Sequence, residues 1–308
     1  MDKKKIKPKI LIIGATGFIG YHLAKKCIKM GWLVTSFSKN KPKQIRRINK
    51  IKYVYGDIFI KKSLKKIDKE FDYVVNLGGY VDHSNKKKTF ESHYIGCKNL
   101  AKIFLKKNLL AFVQIGSCVE YGKSRSPQKE NIRCNPKTIK SVYGKAKLLA
   151  SKYLVNLFKK KKFPSTVLRL YLAYGPKQDT NRFFPIIIKG CIKNEKFPCS
   201  KGNQLRDFVH VEDVVEAILK SLKNKNAKGQ IINIGSGKPR KIKDIINHVK
   251  KISKGGFPQF GKIKLRKDEI LKIYPSIKKA KNKINWKPKI SFRKGLKSTI
   301  KFYNEKTI

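Results

Sequence analysis

The chain has 308 residues, and at roughly 150 residues per domain that suits two lobes or one large domain. Its 40% hydrophobic and 10% aromatic content excludes a disordered chain, and no apolar run approaches the ~18–20 residues of a membrane helix. Lys and Arg number 75 against 19 acidic residues, a net charge of +56 with a pI near 10.2. Such a field attracts polyanions, so nonspecific binding to them at low salt is expected. A dedicated nucleic-acid role is not expected. Only ten of the 75 are Arg, the better bidentate phosphate reader, and the lysines run along the whole chain. Ile and Asn are abundant as well, which points to a compositional bias. The six cysteines contain no C-x-x-C pair and the five histidines no metal-ligand spacing. Neither a disulfide framework nor a metal site is expected, and the setting reads as reducing and cytoplasmic. The start, Met1 to Lys5 followed by Ile10 to Ile13, loosely mimics a signal peptide. Gly14, Gly17 and Gly20 interrupt its apolar stretch and no cleavage site follows, so the chain reads as non-exported, with no membrane insertion.

Strand and helix alternate along the first half. Lys9–Ile13 reads as a short buried strand and Phe18–Met30 as a helix ending at Gly31. Strands follow at Trp32–Phe37 and Lys52–Tyr55, then a helical stretch near Ser63–Lys69, a strand at Asp72–Asn76 and a longer helix over Lys88–Lys107. Leu110–Ile115 reads as strand, Val142–Lys160 as a long helix and Ser165–Tyr171 as strand again. Strands separated by helical segments of this length mean βαβ units and a doubly wound parallel sheet, an α/β architecture of Rossmann type. After Tyr174-Gly175-Pro176 the pattern becomes irregular. A helix near Phe184–Asn194 precedes a loop to Gln204, a strand at Phe208–Val209, a helix at Glu212–Leu222 and a strand at Gln230–Ile234. Helices near Ile242–Ile252 and Phe292–Tyr303 complete the expectation. The division expected is a dinucleotide-binding domain of residues 1–176 plus 207–236. A smaller, discontinuous lobe would hold residues 177–206 plus 237–308.

Gly14-Ala15-Thr16-Gly17-Phe18-Ile19-Gly20 directly follows the first strand and opens the first helix. Glycines there permit a tight turn and close approach of backbone to a pyrophosphate, and the helix N-terminus offers N–H groups to the anion. Tyr143 and Lys147 stand four apart, so both project from one helix face. An ammonium beside a phenol lowers its pKa and makes it a usable acid/base, although a solvated Tyr–Lys pair is the plain alternative in a chain this rich in Lys. Ser117 lies just past the strand Leu110–Ile115, in Gly116-Ser117-Cys118-Val119-Glu120-Tyr121-Gly122, and strand ends are where ligands sit in open α/β sheets. A turn-capping role for that Ser is the alternative.

Taken together and in order, these motifs resemble the extended short-chain dehydrogenase/reductases, specifically the NAD(P)-dependent nucleotide-sugar epimerase/dehydratase group. Tyr174-Gly175-Pro176, Arg206-Asp207-Phe208-Val209-His210-Val211-Glu212-Asp213, Asn233-Ile234-Gly235-Ser236-Gly237 and Ile284-Asn285-Trp286-Lys287-Pro288 extend the likeness over essentially the whole chain. The resemblance implies NADP or NAD held by Gly14, Thr16, Gly17, Phe18, Ile19 and Gly20. Ser38 and Lys39 would face the adenosine ribose, and Asp57 and Ile58 the adenine. Asn76, Leu77, Gly78 and Gly79 would line the cofactor further along. Ser117, Tyr143 and Lys147 would be the catalytic triad, with Tyr143 and Lys147 also meeting the cofactor. Ser117, Arg206 and Arg266 would contact a nucleotide-sugar substrate, the arginines at its diphosphate.

Five departures qualify the likeness. Dehydratases of the group carry an Asp-Glu pair directly after the strand-end hydroxyl, where this chain has Cys118 and Val119; Glu120 comes one step late. Leu172 and His93 stand where many members place Asn, and Lys267-Asp268-Glu269 replaces the usual Pro-Gly-Asp after Arg266. At the end of the second strand Ser38 replaces the acid of NAD-preferring relatives, with Lys39, Lys43, Arg46 and Arg47 nearby, so NADP(H) is expected to be accepted at least as well as NAD(H). The expected activity is therefore hydride transfer at C4 of a nucleotide hexose, as epimerase or 4-ketoreductase, in a homodimer. A 4,6-dehydratase, or an RNA-binding or regulatory protein on the same fold, is the alternative.

Overall fold

The computed structural model describes residues 7–68, 70–80, 82, 84–266 and 268–305. Met1 to Lys5, Lys69, His83 and Lys267, which enter the readings above, lie outside the described residues. Seven parallel strands form the central sheet: β1 (Lys9–Ile13), β2 (Leu33–Ser38), β3 (Lys52–Tyr55), β4 (Tyr73–Asn76), β5 (Ala111–Ser117), β6 (Ser165–Leu170) and a last one at Ile231–Ile234. From the first edge the order is 3-2-1-4-5-6 and then Ile231–Ile234, so the winding reverses between β1 and β4. That reversal leaves a crevice at the carboxyl ends of the strands, where open α/β sheets bind ligands. This is the Rossmann-type fold expected.

The apolar strand runs have no solvent face because helices cover both sides. Ile10 and Ile12 point into one core with Leu23, Ala24 and Cys27 of helix α1 (Phe18–Lys29) and with Trp286. Leu11 and Ile13 point into the other, with residues of the later helices such as Leu100, Phe104 and Leu154. The helical stretch expected near Ser63–Lys69 is a four-residue α2 (Lys61–Leu64). The single helix expected over Lys88–Lys107 is three pieces: α3 (Lys86–Phe90), a π-helical turn (Glu91–Ile95) and α4 (Gly96–Phe104). The π-helical turn carries His93, whose side chain is buried. Helix α5 (Val142–Lys161) matches its reading and begins at Ser141, whose hydroxyl accepts the N–H of Gly144 at 3.0 Å.

Beyond Leu170 the structure is more regular than the sequence suggests. A third core joins Tyr174, Phe184, Ile188, Ile245, Val249 and Leu296. Its elements are β7 (Leu172–Tyr174), α6 (Phe183–Ile192), β8 (Lys196–Cys199), β9 (Leu205–Arg206) and β10 (Phe208–His210). These are followed by α7 (Val211–Lys223), the sheet strand Ile231–Ile234 as β11, β12 (Arg240–Lys241), α8 (Ile242–Ser253) and β13 (Phe257–Phe260). Last come β14 (Lys272–Ile273), α9 (Lys278–Ile284) and α10 (Phe292–Asn304). The loop expected up to Gln204 contains β8, which pairs with β13 some sixty residues later. Strands of two to four residues with distant partners have no local periodicity to betray them. The tail holds α9 besides the two helices expected.

Candidate active site

The crevice at the winding reversal is a cavity of about 370 Å³ lined by Gly14, Thr16, Gly17, Ser38, Lys39, Asp57, Ile58, Leu77, Gly78 and Gly79. Its floor is backbone. Gly14 has φ +83° and lies against the peptide of Leu77, and a Cβ on Gly20 would stand 2.2 Å from the Gly14 carbonyl oxygen. Only glycine permits that approach of helix to turn. Helix α1 starts at Gly17, which lines the cavity, with no capping side chain and no acid in its first turn, so the positive end of its dipole is left unneutralised there. A cradle of this chemistry fits a dinucleotide pyrophosphate. Phe18 and Ile19 open α1, outside the lining.

At the adenosine end Lys39 Nζ lies 3.2 Å from Asp57 Oδ2. Lys43 and Arg46, expected beside the ribose, are turned away: both bind Asp179 Oδ1, at 2.8 and 3.0 Å. Asn76 does not line the cavity. Its side chain donates to Gln114 at 2.8 Å and accepts from Gly78 N at 3.0 Å, holding the turn after β4.

Ser117, Tyr143 and Lys147 come together at the end of β5. Ser117 caps the 3₁₀ turn Cys118–Tyr121, and the Tyr143 side chain is hydrogen-bonded to that of Ser117. Lys147 is buried, its Nζ donating to Ile115 O at 2.7 Å and lying 5.8 Å from the Tyr143 ring centroid. Burial draws its ammonium down to about 8. The expectation of a lowered Tyr143 pKa is corrected, because burial pushes the phenol up to about 12 and the Ser117 hydrogen bond only moderates that. Tyr143 is therefore a phenol, a proton donor, at neutral pH. His93 packs edge-on against it with ring centroids 4.8 Å apart, and its Nε2 lies 3.2 Å from Tyr80 O. Sequence reading noted His93 only as a departure, because the π-turn that carries it has no sequence signature.

A second cavity, of about 620 Å³, opens from Tyr143 past Cys118 and Val119 to Arg266, Asp268 and Glu269. Burial pushes the Cys118 thiol up to about 11, so it is neutral. Glu120 is fully buried and faces the interior. Arg206 and Arg266 do converge, but on Glu269: the Arg206 guanidinium hydrogen-bonds its Oε1, and Arg266 donates to Oε2 at 3.0 and 3.2 Å. That carboxylate went unnoticed in the sequence, where it is one acid after a changed motif.

A parallel sheet with a glycine cradle at its switch point, and a Ser–Tyr–Lys cluster at a strand end, define the class of dinucleotide-binding α/β proteins. The chain belongs to the NAD dependent epimerase/dehydratase family, whose model matches residues 10–235. It is thus one of the extended short-chain dehydrogenase/reductases, in a family of NAD-dependent nucleotide-sugar epimerases and dehydratases. A putative UDP-glucose 4-epimerase of Methanocaldococcus jannaschii is 29% identical over 304 residues, covering 94% of this chain and 97% of that protein. A UDP-N-acetyl-alpha-D-glucosaminuronate decarboxylase of Bacillus cytotoxicus is 27% identical, covering 97% and 99%. Among solved structures, the UDP-glucose 4-epimerase of Thermotoga maritima with UDP-glucose superposes with a TM-score of 0.90 at 24% identity, covering 97% of this chain and all of that one. Among the described residues no helix is long and apolar enough to cross a membrane.

Proposed function

We propose that this chain epimerises a nucleotide-linked hexose at C4, or reduces the corresponding 4-keto sugar, in the cavity beside Tyr143. The observation that carries this reading is the pairing of Tyr143 with Ser117 at a cavity wall whose next two side chains, Cys118 and Val119, cannot serve as acid and base. Tyr143 passes a proton to the C4 oxygen as the ketone is reduced, and the phenolate so formed is the base that takes it back when the hydroxyl is oxidised. Ser117 shares that hydrogen bond, and the Lys147 ammonium stabilises the phenolate left behind. When bound, the dinucleotide supplies the hydride acceptor and donor at C4. Gly14, Thr16, Gly17 and the first turn of α1, Phe18 to Gly20, would hold its pyrophosphate. Ser38 and Lys39 would hold the adenosine ribose, Asp57 and Ile58 the adenine, and Leu77 to Gly79 the stretch towards Tyr143 and Lys147. Arg206 and Arg266 would exchange Glu269 for the substrate diphosphate. The boundary between the cofactor domain, residues 1–176 plus 207–236, and the sugar lobe would fall between these two cavities.

A homodimer is part of the same reading. Leu149, Tyr153 and Leu157 on α5 stay half-buried, while α9 packs against α7 and β11, and α10 against α6 and α8. A helix apolar beyond one stripe needs a further partner, and a second copy of α4 and α5 would supply it. A monomer mass by light scattering at micromolar concentration would refute this. Six free thiols suit a cytoplasmic setting.

Elimination of water across C5 and C6 needs an acid and a base, together worth ~10²–10⁴-fold or more in rate. The purified chain is therefore expected to form no 4-keto-6-deoxy product from a nucleoside-diphosphate glucose or mannose. Epimer or 4-hydroxy product is expected instead, and Tyr143→Phe should lower kcat by ~10²–10⁴-fold with dinucleotide binding nearly unchanged. Robust dehydration by the wild type would overturn the reading.

A further inference from the structure

Glu120 is the acidic side chain beside the reaction centre that the proposed chemistry leaves unused. It sits in the 3₁₀ turn that closes β5, three residues after Ser117, and none of its surface is exposed. Both carboxylate oxygens are taken. Oε1 accepts the backbone N–H of Ser117 at 2.8 Å. Oε2 accepts the Ser151 hydroxyl at 2.7 Å and Arg169 Nε at 2.8 Å.

The three donors come from three elements, and that is what gives the arrangement meaning. Ser117 ends β5. Ser151 lies one helical turn beyond Lys147 and two beyond Tyr143, on the same face of α5. Arg169 is the register partner of Gly116 on β6. A Cβ at Gly116 would stand 2.4 Å from Glu120 Oε1, so the strand makes room for the carboxylate. The Arg169 guanidinium in turn lies 4.4 Å over the Tyr121 ring, whose hydroxyl donates to Asn233 on β11 at 2.8 Å. A buried carboxylate is costly unless fully hydrogen-bonded and paired, and this one is both.

We infer that Glu120 is a positioning residue for the Ser117–Tyr143–Lys147 centre, locking the strand end that carries the hydroxyl to the helix that carries the phenol and the ammonium. Arg169 is its counter-charge, 2.8 Å away on β6. The inference rests on the reading of that centre given above. It has an electrostatic corollary at Lys147. The groups facing that ammonium are Glu120, the Cys97 thiol of α4 and the Tyr143 ring. Burial pushes Cys97 up to about 12, which leaves Glu120 as the anion opposing the burial that draws Lys147 down.

The test is Glu120→Gln in the full chain, which keeps the shape and removes the charge. Amide hydrogen exchange at Ser117 should quicken by about tenfold or more as its acceptor weakens. With a nucleotide hexose, kcat should fall about 10–100-fold while KM stays within about threefold, since the geometry of the transition state suffers and not substrate binding. Activity that requires the Lys147 ammonium falls as pH rises through about 8. In the variant this fall should move about one pH unit lower, because the amide no longer supports the charged form. Ser151→Ala keeps the charge and loosens only α5. It should lower kcat roughly three- to fivefold with no shift of the pH profile. A folded Glu120→Gln with wild-type exchange, kcat and pH profile would overturn the inference. So would a rise in KM alone, which would put Glu120 against the sugar. Should Glu120→Gln fail to fold, Ser151→Ala decides: lower kcat at constant KM supports the inference, and unchanged kcat sinks it. A wild type that turns over no nucleotide hexose would defeat the proposed function, while exchange at Ser117 would still decide the positioning.

Discussion

The cavity at the glycine turn and the cavity beside Tyr143 are built by different means. The first has a backbone floor, with glycines at 14 and 17, a bare helix N-terminus and a turn held by Asn76, and side-chain walls that include Phe37, Ser38, Lys39 and Asp57. Its attraction for an anion comes from fixed peptide dipoles, which need no counter-charge and no side-chain ordering on binding. The second is walled by side chains, apolar at Val119, Ile139, Ile270 and Ile273 and charged at Arg266, Asp268 and Glu269, which already have ion partners. Glu269 holds Arg206 and Arg266, and Lys140 lies 3.7 Å from Asp268. A ligand entering the first meets preorganised donors, whereas a ligand entering the second must displace a carboxylate. The first should thus bind with little rearrangement, and the second should exchange partners and feel ionic strength.

Three changes would break or sharpen that contrast. The largest effect is expected from Gly20→Ala, whose added Cβ meets backbone 2.2 Å away and so cannot be relieved by a side-chain rotation. Dinucleotide affinity, followed by fluorescence titration, should weaken on the order of 100-fold, with stability lower by ~1–3 kcal/mol. Affinity within threefold of wild type would mean the backbone cradle is softer than its geometry implies. Next comes Arg206→Lys, which keeps a charge but loses the guanidinium fork. KM for the nucleotide sugar should rise about tenfold with kcat within twofold and dinucleotide binding unchanged. An unchanged KM would show that Arg206 stays with Glu269 throughout.

The smallest effect concerns cofactor choice. With Lys43 and Arg46 spent on Asp179, Lys39 is the basic side chain that lines the cavity beside Ser38, and it also meets Asp57. NADP(H) is still expected to bind at least as well as NAD(H), now by a margin of a few-fold, roughly one exposed charge pair. Lys39→Glu should reverse the order by adding repulsion to a 2′-phosphate. A wild type that clearly prefers NAD(H) in parallel titrations would refute the expectation.

The same division, between what backbone makes and what side chains make, sets how much was legible beforehand. The run Lys9–Ile13, the glycine turn and helix α1 form one contiguous stretch, so local rules place the dinucleotide cradle at its residues. Tyr143 and Lys147 share a helix face by spacing alone, and the helix lies where its periodicity says. The direction of the Tyr143 pKa was missed for a physical reason. Spacing reveals the nearby ammonium but not the depth of burial, and burial is the larger influence.

What the sequence determined by itself is therefore whatever depends on near neighbours: the alternation of strands and helices, the glycine cradle, the Tyr–Lys face and the family likeness those ordered motifs carry. The rest depends on residues far apart in the chain, which meet through folding alone. Glu120 meets Arg169 forty-nine positions away, Arg206 meets Glu269 sixty-three away, and Arg46 meets Asp179 across one hundred and thirty-three. A charge in a sequence has a sign but no partner. In a chain with 75 basic and 19 acidic residues, every carboxylate has many cations it might meet, and only folding selects which one it does.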